Sequence, residues 1–295
     1  PVQFYGDPRT PTYLFYHSIL GGMRLRQERT SFTLCPTADA DLLKRIHSGE
    51  CVPDLGYWLM PEFFDGMFSE DDAIDMPGGK TEYFLSGEQQ RNIRIQSQKL
   101  EHAAWFDPQT NKIEILFVTY NAHKDVMVVT FINFYINRAG HIFKQIEPIT
   151  IWLHPYHHFL NYVFDAMWAV LVVCVFVFEI VEVYHYWRQL GLLKGLYLYL
   201  RLANLVDWVN VLYSLLIMLL AYFHHVDIVR CRDLLKLAQV GVPGSWSNEV
   251  DRIEFFELAH KMARDFIRLK YYLAFYPLGV GIRYFKAFSA QPRLA

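Results

Sequence analysis

Two hydrophobic patterns divide this chain near residue 155. Before it, apolar residues come in short alternating runs broken by turn residues. After it, they merge into long apolar stretches. Three short runs predict strands: 112–120 (KIEILFVTY), 125–136 (DVMVVTFINFYI) and 141–152 (HIFKQIEPITIW). NAHK and NRAG join them, and β-rich runs joined by short turns predict an antiparallel meander. The stretch 23–34 (MRLRQERTSFTL) predicts a further strand. Residues 87–104 predict a helix, opened by Ser86 and Gln89 at capping-box spacing. A helix with an antiparallel sheet makes the first part, residues 1–155, an α+β domain.

A helix crossing a bilayer needs about 20 mostly apolar residues. Residues 159–183, 202–223 and 266–288 fit that length, the last interrupted by Pro277, Gly279 and Gly281. A set of buried helices in a large soluble protein is the alternative. The first two runs are too long and too uniformly apolar for it. Residues 156–295 are therefore expected to hold three membrane helices. Basic residues favour the cytoplasmic side. The connection 184–201 carries Arg188, Lys194 and Arg201 and no acid, so it should be cytoplasmic. Residues 1–155 and the mixed-charge connection 224–265 then fall outside. Arg268 and Lys270 should snorkel to the outer headgroups.

Charge and motifs mainly exclude. The net charge is −2 with no block of like charge, so nucleic-acid binding gains no support. His157–His158 and His224–His225 are adjacent pairs, which point apart on a helix and form no zinc face. No nucleophile elbow, Cys-x-x-Cys or phosphate loop occurs, and nothing argues for an enzyme. Cys35 and Cys51 are the natural disulfide pair if residues 1–155 face an oxidising space, two free buried thiols being the alternative. No Asn-x-Ser/Thr sequon is present. The chain starts at Pro1 with no signal peptide and reads as a piece of a longer protein.

The costly residues lie inside the apolar runs. Glu179 and Glu182 sit i and i+3 near the inner end of the first span. Asn204 and Asp207 sit i and i+3 at the start of the second. Each pair shares a helix face, and a cytoplasmic connection puts both pairs at similar depth. Intramembrane ionisable residues are functional candidates by default. Two readings stay open: an oxygen-rich site for a hard cation such as Ca²⁺, or ion pairing with Arg283 and Lys286 of the third span.

In this order the chain resembles the polycystin branch of the transient receptor potential cation channels. The stretch 15–30 (FYHSILGGMRLRQERT) is similar to that family's first strand with its Arg-x-Arg-Gln element, here Arg24 to Gln27. Residues 105–129 resemble its Trp-x-Asp turn and Tyr-Asn-Ala strand end, 204–207 its Asn-x-x-Asp helix, and 281–288 its fourth helix with two basic residues. The resemblance implies an extracellular polycystin domain followed by three helices of a voltage-sensor-like bundle. It also implies a disulfide between Cys35 and Cys51, gating charges at Arg283 and Lys286, and regulatory Ca²⁺ at Glu179, Glu182, Asn204 and Asp207. The implied partners are other polycystin subunits in a homo- or heterotetramer, the lipid bilayer and extracellular proteins. The implied location is the ciliary or plasma membrane, and the implied function is a calcium-permeable, non-selective cation channel. The family's pore-forming segments have no counterpart in this stretch. A non-conducting, polycystin-1-like receptor or scaffold is the alternative.

Overall fold

The structure, a computed structural model, describes residues 12–13, 17–30, 32–34, 50–51, 80–84, 90–121, 123–137, 140–156, 159–191, 194, 199, 202–237, 246 and 248–289. The strands are β1 (Thr12–Tyr13), β2 (His17–Arg29), β3 (Thr33–Leu34), β4 (Glu50–Cys51), β5 (Lys80–Phe84), β6 (Thr110–Asn121), β7 (Val126–Ile136) and β8 (Ile142–Trp152). The helices are α1 (Gln90–His102), α2 (Phe159–Leu190), α3 (Leu202–Lys236) and α4 (Glu249–Ser289).

The chain divides into two compact units. The first joins residues 1–153 to 229–263, and the second joins 154–228 to 264–295. The first contains an antiparallel sheet in the order β1-β2-β6-β7-β8, with β5 also paired to β2. The meander β6-β7-β8 forms where the alternating runs predict it. The expected strand 23–34 instead runs from His17 to Arg29 as β2. It starts earlier because Gly21 and Gly22 absorb a bulge, with φ of 71° and 106°, and the register shifts between Leu20 and Met23. The helix expected over 87–104 is α1, over a shorter span, and Ser86 and Gln89 lie outside the described residues. Cys51 is disulfide-bonded and Cys174 and Cys231 are free thiols. Cys35 lies outside the described residues.

One face of the sheet is apolar at one end, where Leu20, Val118, Val129 and Ile149 stand opposite one another and are buried. The helical residues 229–236 and 249–263 belong to the same unit. Their buried positions Cys231 and Leu234, then Phe255, Phe256, Ala259, Met262 and Ala263, recur at helical spacing. Trp246 bridges the two helical pieces, its indole donating to the Leu234 carbonyl at 2.9 Å and its ring lying 4.6 Å from Phe255.

Further along that face the buried residues are charged. Arg24 is fully buried, and its guanidinium donates to Glu114 Oε1 at 2.9 Å and to Glu257 Oε1 at 2.8 Å. Arg24 also lies 2.7 Å from His260 Nδ1, and that nitrogen lies 3.5 Å from Glu114 Oε1. Lys112 lies 3.4 Å from Glu28 and 3.9 Å from Glu114. Arg24, Arg26 and Glu28 share this face because side chains alternate along a strand.

Burial alone would raise the Glu114 carboxyl. Charge and hydrogen bonding from His260, with Lys112 and Arg24, instead hold it well below the usual carboxylate range. A lowered carboxylate contributes stability above its unfolded value and loses it as pH falls through the folded one. Thermal unfolding of the protein should therefore be flat in this respect above about pH 5 and fall steadily below it. The Glu114→Gln variant, less stable at neutral pH, should show a shallower acid slope. Equal slopes would remove Glu114 as the cause.

On the opposite face Leu25, Ile115, Ile132 and Ile146 stand in one row across β2, β6, β7 and β8. The first three are half-buried and Ile146 is exposed.

Candidate functional site

Among the described residues, two helices are long and apolar enough to cross a membrane: Phe159–Gln189, with mean hydropathy 2.4, and Asn204–Lys236, with 1.8. The third expected span, 266–288, lies within α4, which stays helical across Pro277. Among the described residues it does not reach the same apolarity, since Arg268 and Lys270 interrupt its first half.

Burial in the second unit is inverted relative to a soluble core. Phe178 is 72% exposed and Leu212 58%, while Glu179, one residue from Phe178, is 4% exposed and Asp207 1%. Asn204 and Ser214 are buried as well. Only 11% and 28% of the most apolar windows of α2 and α3 are buried.

The buried polar residues form a cluster. Glu179 Oε2 accepts from the Tyr199 hydroxyl at 2.7 Å. That hydroxyl oxygen accepts from the Trp208 indole at 2.7 Å, and Asn204 Nδ2 donates to the Tyr199 carbonyl at 3.0 Å. Asn204, Asp207 and Trp208 stand i, i+3 and i+4 on one face of α3. Phe176 of α2 meets the Trp208 ring edge-on at 6.0 Å. Burial, and then the hydrogen bond to Glu179, raise the Tyr199 hydroxyl above its ordinary value, so it stays a donor. Glu182 is half-buried, and its charge still acts on Tyr199.

The structure thus ties Glu179 and Asn204 to one another through Tyr199 and buries Asp207 beside Trp208. Tyr199 and Trp208 were not anticipated. Their aromatic character near the end of an apolar run reads as an interfacial belt, and only the helix pairing shows them to be hydrogen-bonding residues. Arg283 and Lys286 lie in the last turns of α4, and their side chains are outside the described residues, as are His157 and His158.

The donor set is oxygen-rich and suits a hard cation in kind. Among the described residues, however, no three His, Cys, Asp or Glu side chains converge as a metal site. Two carboxylates, an amide and a phenol can hold a positive charge, whether of a metal or of a basic side chain.

A second set of polar contacts joins α3 to α4. Asn210 Nδ2 donates to the Gly279 carbonyl at 2.9 Å and the Tyr213 hydroxyl to the Tyr272 carbonyl at 2.9 Å. A Cβ at Gly279 would stand 2.3 Å from Asn210 Oδ1, so glycine permits the approach. No protein-family model and no curated protein matches this chain.

Proposed function

We infer that the chain is a membrane-embedded subunit of a polycystin-type, calcium-permeable cation channel. Its sheet domain lies outside and serves tetramer assembly, and its helices carry the Ca²⁺- or voltage-responsive element. The observation that carries the membrane placement is the inverted burial of α2 and α3, apolar side chains outward and Glu179, Asn204 and Asp207 inward; the channel type rests on the sequence resemblance. In water that arrangement exposes apolar surface and buries charge, both costly; in a bilayer the outward apolar side chains meet lipid without that cost, and the inward polar ones are kept from it. The row Leu25, Ile115, Ile132 and Ile146, half-buried on three strands and exposed at Ile146, supports assembly, since neighbouring subunits would complete its cover.

In this reading Glu179, Glu182, Asn204 and Asp207 hold Ca²⁺ at the inner end of the bundle. Arg283 and Lys286 are the gating charges, each worth about 2.3 kcal/mol per 100 mV if moved through the whole field.

The test is electrical recording of the full channel with varied internal Ca²⁺. Asp207→Asn and Glu179→Gln should each shift the Ca²⁺ dependence of opening at least about tenfold, as removal of one charged ligand does. Unchanged Ca²⁺ dependence in both would leave ion pairing as their role. Release of the chain from membranes by alkaline carbonate would refute the membrane placement itself.

A further inference from the structure

We propose that the cavity between α2, α3 and α4 is a binding site for a small apolar molecule carrying one hydroxyl group, of benzyl alcohol or phenol class, taken up from the bilayer. The cavity measures about 160 Å³ and is lined by Val172, Val175, Val211 and Val280, with Trp168 and Tyr276 among its walls. An apolar cavity of about 150 Å³ suffices to hold benzene. The walls carry no Asp, Glu, Lys, Arg or His, so a charged ligand would be left unpaired there.

The polar groups are gathered at one place. Ser214 donates its single proton to the Asn210 carbonyl at 2.8 Å, so towards Tyr276, 3.3 Å away, it can only accept. The Trp168 indole donates to the Tyr276 hydroxyl at 3.4 Å. Both contacts of that hydroxyl are longer than ordinary O–H···O and N–H···O bonds. A ligand hydroxyl entering between these groups can accept from Tyr276 and donate to Ser214 at closer range. Ser214 is buried, whereas Leu171, also lining the cavity, is 58% exposed and marks its mouth on the outer surface of α2. That mouth opens among apolar side chains, which is why the ligand comes from lipid rather than water. This step rests on the membrane reading; the cavity chemistry does not.

The experiment uses the full chain in lipid nanodiscs and a diazirine-bearing benzyl alcohol as photolabel, with labelled residues mapped by mass spectrometry. Labelling should fall on 168–175, 210–214 and 276–280 and be displaced by excess benzyl alcohol. Val211→Phe, which fills the cavity, and Leu171→Trp, which narrows its mouth, should each abolish the displaceable part. Tyr276→Phe, which keeps the ring, should weaken displacement about tenfold, as loss of one hydrogen bond does. Two variants at different depths guard against one of them misfolding, and thermal unfolding checks each. Labelling spread over outward residues such as Phe178 and Leu212 without displacement overturns the proposal. So does displaceable labelling that survives both variants, or a lining left unlabelled because another segment fills it. Displaceable labelling of a chain that carbonate extracts from membranes would keep the cavity and sink the membrane reading.

Discussion

Arg24→Gln should destabilise the first unit by about 3–5 kcal/mol, the cost of removing one partner from a buried charge network. The two acids that Arg24 holds differ in what they contribute. Glu114 is 2% exposed and Glu257 41%. Water can take over from Arg24 at Glu257 but not at Glu114, so almost all of the cost comes from leaving Glu114 buried without its guanidinium. His260, 3.5 Å away, and Lys112, 3.9 Å away and shared with Glu28, remain beside Glu114 but do not replace the 2.9 Å bond that is lost. It follows that Glu257→Gln should cost less than about 1 kcal/mol, although its bond to Arg24 is as short as that of Glu114. Arg24→Lys should fall between, since an ammonium keeps the charge and loses the fork that serves two carboxylates and His260 at once. Denaturant unfolding followed by circular dichroism measures all three. A domain holds only about 5–15 kcal/mol in total, so the Arg24→Gln loss should be plain. Similar losses for Arg24→Gln and Glu257→Gln would show that burial of Glu114 is not the deciding term.

Gly21→Ala should cost about 2–5 kcal/mol, from two separate sources. The backbone at Gly21 is left-handed, with φ of 71°, which an L side chain adopts at about 1–2 kcal/mol. The added Cβ would also stand 2.9 Å from the Trp246 ring and 3.2 Å from that of Phe256. Overpacking of this kind costs about 1–3 kcal/mol where the neighbour cannot move. Trp246 is tethered by its bond to Leu234 and packed against the tilted ring of Phe255, so it yields little. Gly140 supplies the comparison: its φ is 88° and nothing lies within 4 Å of an added Cβ. Gly140→Ala should therefore show the backbone cost alone. Equal melting-temperature losses at the two glycines would mean that the aromatic contact contributes nothing.

Much of the architecture is legible without coordinates. Strand alternation and short turns specify β6, β7 and β8 as neighbours, because a period of two places one face inward and a short turn permits only antiparallel return. The i, i+3 spacing of Glu179 with Glu182, and of Asn204 with Asp207, specifies which face of each helix carries polar atoms. The length of the apolar runs specifies α2 and α3.

Tertiary structure decided what those local rules leave undetermined. Arg24, Arg26 and Glu28 alternate as residues on a solvated face would, since a strand pattern states which side chains share a face and not what covers it. Coverage came from Glu257 and His260, more than two hundred residues away in the chain. Residues 229–236 and 249–263, which sequence places only as a polar connection between spans, join the sheet through buried positions at helical spacing. Tyr199 became the link between Glu179 and Asn204 for the same reason: its hydroxyl and carbonyl serve two helices, and no one-dimensional spacing encodes that meeting. Sequence by itself determined periodicity, run length and shared faces, which are properties of neighbours along the chain. The pairing of buried charges was left to the fold, because desolvation depends on everything that surrounds a group.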